Sequence, residues 1–230
     1  MPTKSRQAAD SQAGESFKRA RRPEQKEQRR EAILAAAAEL AAREGVREVT
    51  LGDIARAVGI HKSALLRYFE TREQIFLELT ARAWGEWREA TSAALAKVAP
   101  GDADAVAATL AGSFVERPLL CDLIPHTALN LERHASVEAV RAYKTISLGA
   151  VDAVATVLAD PLADLDDDQR RELVSSVALL AGSMYQIATP PPPLAELYKR
   201  EPQLGHFLLD LEGRLTRATR VMIAGIEALD

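Results

Sequence analysis

The feature that most constrains this chain is a fixed spacing of three residues near its N-terminus. Ala55, Gly59 and Leu65 stand in the relation A-x3-G-x5-L. A small residue at 55 lets two helices approach closely, and glycine at 59 permits the positive φ of a tight turn. Leucine at 65 fills the wedge between the helices. The spacing therefore predicts a helix-turn-helix whose later helix exposes one face that can enter a major groove.

Capping residues and breaks predict where the helices around this turn begin and end. The first helix is expected from about residue 23 to Gly45, because glycine is a common helix stop. Thr50 has Asp53 three residues on, which predicts a capping box at the start of a second helix. A third helix is expected over residues 62–69.

The rest of the chain is predicted to be helical as well. Thr71 with Gln74 predicts a second capping box and a fourth helix that reaches about residue 98. Proline, glycine and aspartate breaks separate further helices, and these are expected at 103–116, 118–132, 136–159, 167–188 and 205–228. The proline run at 190–193 is interpreted as an extended connector, with a protein-recognition segment as the alternative.

Composition agrees with an all-α fold. Hydrophobic residues make up 47 % of the chain and aromatic residues only 5 %. Alanine and leucine dominate, and both lose little rotamer freedom in a helix. Alternating runs of β-branched residues bounded by turn signals are missing from the sequence, so strands are not expected.

Charge is distributed unevenly along the chain. Residues 1–70 hold 14 Lys and Arg against 10 Asp and Glu, a net of +4, whereas residues 71–230 hold 15 against 23, a net of −8. A basic N-terminal part favours a polyanionic partner. Residues 1–22 end in a basic cluster and have two interpretations. One is a disordered tail, and the other is a basic arm that follows the phosphate backbone or enters a minor groove.

Several classes of protein are disfavoured. The single cysteine excludes an internal disulfide and a cysteine-based metal cage. Neither a signal-peptide h-region nor a stretch of about 18 apolar residues occurs, which predicts a cytoplasmic protein without a membrane partner. The G-x-S-x-G, H-E-x-x-H, phosphate-loop and dinucleotide-binding motifs are not found, so neither an enzyme nor a cofactor is expected. His126 and His134 would lie about 12 Å apart along a helix, too far to chelate one metal.

Residues 33–77 read ILAAAAELAAREGVREVTLGDIARAVGIHKSALLRYFETREQIFL and closely resemble the DNA-binding domain of the tetracycline-repressor family. The shared patterns are A-x-x-L, T-x-x-D-I-A, G-I-x-K-x-x-L-x-R-Y-F and T-R-E, one for each of the first four helices. The stretch covers about a fifth of the chain. Beyond it, only the length and the all-helical layout match the family.

The resemblance implies a set of DNA contacts. Phosphates would be bound by the N-terminal end of the second helix and by three side chains, and base edges or the adjacent backbone would be contacted by four more. The phosphate contacts are Thr50, Lys62, Tyr68 and Arg72, and the others are His61, Ser63, Ala64 and Arg67. By chemistry Arg67 is the best bidentate reader of guanine. His61 has an alternative role as the cap of the third helix. Leu66 and Gly52 depart from the family pattern, where many relatives carry contact residues.

The resemblance also implies that the last two helices pair with their copies as a four-helix dimer interface. Small and apolar side chains recur at helical spacing there, namely Val174, Val177, Ala178 and Ala181, then Leu208, Leu211, Leu215, Ala218 and Met222. A seam inside one protomer is the alternative. An effector pocket is implied between the DNA-binding and dimer regions, and its candidate lining is Trp84, Trp87, Phe114, Cys121, His126, Asn130, Tyr143, Met184 and Tyr185. For each of these, core packing is the alternative.

These features predict three segments: a disordered basic arm (1–22), a helix-turn-helix DNA-binding domain (23–76), and a helical effector-binding and dimerisation domain (77–230). The expected function is a homodimeric, ligand-responsive repressor of double-stranded operator DNA. The operator is expected to be pseudo-palindromic, and the effector to be small and either apolar or aromatic. A constitutive DNA-binding or scaffolding dimer without an effector is one alternative, and an enzyme is the other.

Overall fold

The computed structural model describes residues 5–205 and 210–228, with side chains from residue 24 onward. The described residues form ten α-helices and no strand, which confirms the all-α prediction. The helices are α1 Ser5–Glu44, α2 Leu51–Val58, α3 Lys62–Leu65, α4 Arg72–Leu95, α5 Ala103–Val115, α6 Pro118–His126, α7 Val137–Val157, α8 Asp167–Ala188, α9 Pro192–Arg200 and α10 Leu211–Glu227. A π-helical turn, Thr127–Leu131, and two short 3-10 turns complete the fold.

The predicted caps largely form. Thr50 accepts the backbone N–H of Asp53, and the Asp53 carboxylate accepts that of Thr50, so both halves of the box are present. Gly59 ends α2 with a φ of 70°, which only glycine adopts without strain. The second predicted box forms only in part. Thr71 caps Gln74, but the Gln74 side chain accepts the N–H of Glu70 instead of that of Thr71.

Helix bounds differ from the sequence predictions at both ends of the chain. The backbone of α1 is helical from Ser5, upstream of the start predicted at residue 23. The side chains of residues 1–23 lie outside the described part, so the role of residues 1–22 as a basic arm stays a prediction. Helix α10 begins at Leu211 rather than 205, with Asp210 as its cap. Leu208 lies outside the described residues.

Three helices inside the chain also differ from prediction. Helix α3 is shorter than predicted, because after Leu65 the chain continues in turns with i→i+3 hydrogen bonds such as Tyr68 N–H to the Leu65 carbonyl. Helix α6 ends at His126 rather than 132, just after Pro125, which lacks a backbone N–H. The proline run is only partly an extended connector, since Pro192 opens α9 at the N1 position, where a missing N–H costs nothing.

One hydrophobic core runs through both parts of the chain. In the N-terminal part it contains Ile33, Ile54, Leu65 and Phe69, all buried. Helix α4 carries this core into the C-terminal part, where it packs on α5 and α7, while α6 packs on α8 and α10 packs on α5 and α8. Helices α4 and α6 also contact α1. These contacts join the two parts of the chain.

Within the described ranges, no single helix is long and apolar enough to cross a membrane. By length and composition alone, the bent pair of α8 and α9 passes the test together.

Candidate DNA-binding surface and effector cavities

Helix α3 presents its N-terminal side chains to solvent. His61, Lys62 and Ser63 are exposed and Ala64 is half-buried, while Leu65 is buried beneath them. His61 occupies the N-cap position, but its side chain makes no capping hydrogen bond. The ring is therefore available for a contact with DNA. The alternative role of His61 as a side-chain cap of α3 is not observed.

The turn after α3 extends this exposed surface. Arg67 is exposed and Tyr68 half-buried, and both line a surface groove of about 680 Å³ against α1. On the α1 side, Lys26 and Arg29 face the same groove. These two cations were missed from the sequence, although their spacing of three residues on a helix places them on one face. The groove therefore carries three cationic side chains beside α3.

The start of α2 is already occupied by a carboxylate. Asp53 accepts the Thr50 backbone N–H at 3.1 Å and the Thr50 hydroxyl at 2.5 Å. These hydrogen bonds, with the one from Arg56, hold the pKa of Asp53 below its usual value. A phosphate at the exposed Thr50 would therefore meet a fixed negative charge as well as the helix N-terminus.

Arg72 lies inward rather than toward solvent. Its guanidinium donates hydrogen bonds to the carbonyls of Val46 and Val49 and pairs with Glu73 at 3.2 Å. It also lies over the ring of Phe76, 4.6 Å from the ring centroid. Arg72 thus clamps the loop between α1 and α2 onto α4, a role that the sequence did not predict, and its contact with a phosphate stays a prediction.

Arg30 holds the turn after α3 in a similar way, and no pattern in the sequence predicted this role. Its guanidinium donates to the Tyr68 carbonyl at 3.1 Å, pairs with Glu78, and lies 4.2 Å from the centroid of the Phe69 ring. These contacts tie α1, the turn after α3, and α4 together. Arg30 therefore holds the turn after α3 against both α1 and α4.

The predicted dimer seam lies largely inside one protomer. Val174, Val177, Ala178, Ala181 and Leu215 are all at most 3 % exposed. A second copy cannot reach side chains that the protomer's own core covers, so assigning them to the interface was wrong. On α10, Leu211, Ala218 and Met222 are half-buried. The same two helices expose other apolar side chains, Leu179 at 65 % and Val221 at 63 %.

Three of the predicted effector residues form a closed aromatic cluster. Trp84 and Trp87 meet edge to face with centroids 5.1 Å apart, and Trp87 stacks on Phe114 at 4.9 Å. The Trp87 N–H donates to Ser113 at 2.9 Å. Cys121 is buried, and its thiol donates to the Phe114 carbonyl. Burial raises the pKa of this thiol to about 12. These four side chains fill the core and do not line the cavities described below.

Two other predicted residues do line cavities. Tyr143 borders a groove of about 930 Å³ between α1, α4 and α7, and Tyr185 borders a smaller cavity of about 230 Å³ between α1, α4, α6 and α8. His126 is half-buried and lies 3.7 Å from Asp122, and Asn130 lies 3.5 Å from the His126 ring. Met184 is half-buried against the core. Of the nine predicted residues, four thus belong to a packed cluster, two border separate spaces, and three border neither of these spaces.

Two protein-family models match this chain, one in each part. Residues 33–79 match the model described as "Bacterial regulatory proteins, tetR family", and residues 81–229 match "Tetracyclin repressor-like, C-terminal domain". The second match alone spans more than half of the chain. The chain belongs to the tetracycline-repressor family. The helix-turn-helix and the helical C-terminal domain are therefore those of a DNA-binding transcription regulator.

Solved structures share the fold at low sequence identity. A regulator of this family from Mesorhizobium loti is 14 % identical, with a TM-score of 0.56 over 89 % of this chain and 97 % of its own. FadR from Thermus thermophilus, in complex with lauroyl-CoA, is 20 % identical, with a TM-score of 0.55 over 86 % and 94 %. FadR from Bacillus subtilis, in complex with stearoyl-CoA, is 17 % identical, with a TM-score of 0.54 over 85 % and 98 %. No curated protein matches the chain in sequence.

Proposed function

We propose that this tetracycline-repressor family member is a dimeric repressor that binds a pseudo-palindromic operator and releases it when a small effector binds. One observation carries the proposal. Lys62 and Arg67, on the recognition element formed by α3 and the turn that follows it (residues 61–69), are exposed and make no ion pair among the described residues. Cations held free beside an exposed helix are suited to phosphates and base edges. Leu66, 43 % exposed on the same element, offers an apolar contact to a thymine methyl group.

A dimer gives the two recognition elements a fixed separation. Two copies related by a two-fold axis would insert α3 into successive major grooves, about 34–36 Å apart. The outward faces of α8 and α10, with Leu179 and Val221, supply the apolar surface for such pairing. Single exposed apolar side chains are common on protein surfaces. Leu179 and Val221 are proposed as interface residues because they lie on two helices that pack against each other.

The cavities of the C-terminal part support an effector with an apolar body. Tyr143, Leu77 and Ala81 line the larger groove, and Tyr185, Ala41 and Leu120 line the smaller cavity. Two of the similar structures hold acyl-CoA molecules. In this chain six charged side chains line the larger groove, whereas the smaller cavity has mostly apolar walls and a few polar groups. The smaller cavity therefore favours a small molecule over a protein segment.

The proposal is tested first at Lys62. Lys62→Ala removes a cation that has no structural partner, so we expect weaker binding to DNA of any sequence and a salt dependence whose slope falls by about one. Fluorescence anisotropy with a DNA fragment selected by the purified protein, at several salt concentrations, measures both quantities.

Lys199→Ala is the matched control, because Lys199 is an exposed cation at the end of α9. It is expected to leave affinity and salt slope unchanged. If Lys62→Ala behaves like this control, α3 is not the DNA-reading element. If no effector that binds saturably changes the affinity for DNA, the constitutive alternative holds.

A further inference from the structure

The loop between α1 and α2 is held from both parts of the chain. Gly45, with a φ of 86°, turns the backbone sharply after α1. Arg72 of α4 then binds the carbonyls of Val46 and Val49. From the other side, the Asp122 carboxylate of α6 accepts the Val46 N–H at 2.7 Å. The loop leads directly to the start of α2, so one residue of α6 helps to set the position of the DNA-binding unit.

Asp122 is a buried carboxylate with acceptor capacity to spare. The residue is 9 % exposed. One oxygen takes the Val46 N–H and the other takes the side-chain N–H of Gln186 on α8, each at 2.7 Å. A carboxylate offers about four lone-pair sites, and within the described residues no lysine or arginine pairs with this one. The His126 ring lies 3.7 Å away, and burial holds the pKa of this ring below the usual value.

A cavity of about 230 Å³ opens directly beside this carboxylate. Its walls are mostly small and apolar, with Ala41 and Ala42 from α1 and Ala83 from α4. Four polar residues also line this space: Asp122, Tyr185, Glu86 and Arg117. The Arg117 guanidinium already donates to the Ser113 carbonyl. A cavity of about 150 Å³ is enough to hold benzene in a protein core. The space therefore accommodates one aromatic ring with a small substituent.

We propose that this junction cavity binds a single-ring aromatic molecule that carries one O–H or N–H donor. The ring lies against the alanines, and the donor binds Asp122. Such a ligand contacts α1, α4, α6 and α8 together. Its donor shares the Asp122 carboxylate with the Val46 N–H, which weakens the hydrogen bond that holds Val46. It loosens the α1–α2 loop and so favours the arrangement in which Val46 is released. Calling this ligand the effector rests on the proposed function, whereas the binding site itself does not.

The larger groove between α4 and α7 is a poorer site for such a ligand. Its cations are already engaged, since Arg30 pairs with Glu78 and Arg82 pairs with both Glu31 and Glu78. Neither Val46 nor Asp122 borders it. A ligand bound there would leave the carboxylate that holds the α1–α2 loop untouched.

The test uses the full-length protein without DNA, with phenol as the probe and toluene as a donor-free match of similar shape. In ¹H–¹⁵N NMR spectra, phenol is expected to shift the Val46 amide signal saturably and to speed its hydrogen exchange. Toluene is expected to bind at least about tenfold more weakly, since it leaves the carboxylate without a new partner. Equal effects of the two probes, or a phenol response confined to Ala139 and Ala142 in the larger groove, would overturn the proposal.

A cavity-filling variant tests the location. Ala42 is exposed and lines the cavity, so Ala42→Leu is expected to fold and to abolish the Val46 response to phenol. Ala93, exposed on α4 away from the cavity, gives the control Ala93→Leu, which is expected to keep it. An unchanged response in Ala42→Leu would overturn the site. Because no DNA is present, failure here is separate from failure of the Lys62 experiment.

Discussion

At the scale of single residues, the arginines are the least predictable part of the molecule. The family resemblance predicted Arg72 as a phosphate contact, but its side chain turns inward and binds two backbone carbonyls. A carbonyl partner leaves no trace in a sequence, because every residue carries one. The caps at Thr50 and Gly59 were predicted correctly, since their chemistry depends only on neighbours in the chain.

A substitution that keeps the charge separates these two roles of Arg72. Arg72→Lys loses the planar fork that reaches two carbonyls and the stacking on Phe76. We expect a loss of about 1–2 kcal/mol in the free energy of unfolding. Urea denaturation measures it, with Arg43→Lys as the control, because Arg43 is 69 % exposed and pairs only with its neighbour Glu44. Equal stability of the two variants would contradict the clamp.

At the scale of elements, the close approach of α6 and α8 depends on a glycine. A Cβ atom added at Gly182 would lie 3.0 Å from both Ile124 and Pro125. Both neighbours are stiff, one β-branched and the other a ring, so neither can move aside easily. The helical periodicity of α8 was readable from the sequence. The sequence did not show which apolar side chains of α8 face the core. Val174 and Leu179 are both apolar and lie on the same helix, but only Val174 is buried.

Two glycine substitutions test this packing. Gly182→Ala is expected to lower the free energy of unfolding, even though alanine is the better helix former by about 0.8–1.0 kcal/mol. Gly149 lies in α7 with nothing within 4 Å of its Cβ direction, so Gly149→Ala is expected to raise stability by roughly that amount. Thermal unfolding of both variants decides the point. A stabilised Gly182→Ala variant would mean that α6 and α8 are not in close contact.

His126, at the end of α6, makes the stability of the protein depend on pH. Burial holds the pKa of its folded state below the unfolded value of about 6.5. The unfolded chain therefore binds more protons as the pH falls through that value, and stability decreases on acidification. We expect His126→Gln to lose less stability than the wild type between pH 7 and pH 5. Urea denaturation at several pH values measures this loss. An equal loss in the free energy of unfolding for the two proteins would contradict the role of His126.

At the scale of the whole molecule, the proposed interface and the core lie on different faces of the same helices. Leu179→Asp changes an exposed side chain of α8, so we expect a folded monomer in analytical ultracentrifugation. Leu215→Asp instead buries a carboxylate in the core of one protomer, at a cost of several kcal/mol, and is expected to unfold. A dimeric Leu179→Asp variant would place the interface on another surface.

The central claim is that two copies of this chain read DNA through α3 with two-fold symmetry. Selection of DNA from a random pool by the purified full-length protein, followed by sequencing, tests it most directly. The expected result is a pair of inverted half-sites whose centres lie about 10 base pairs, or a multiple of that, apart. Enrichment of a single unpaired site, or of no sequence above the starting pool, would contradict it.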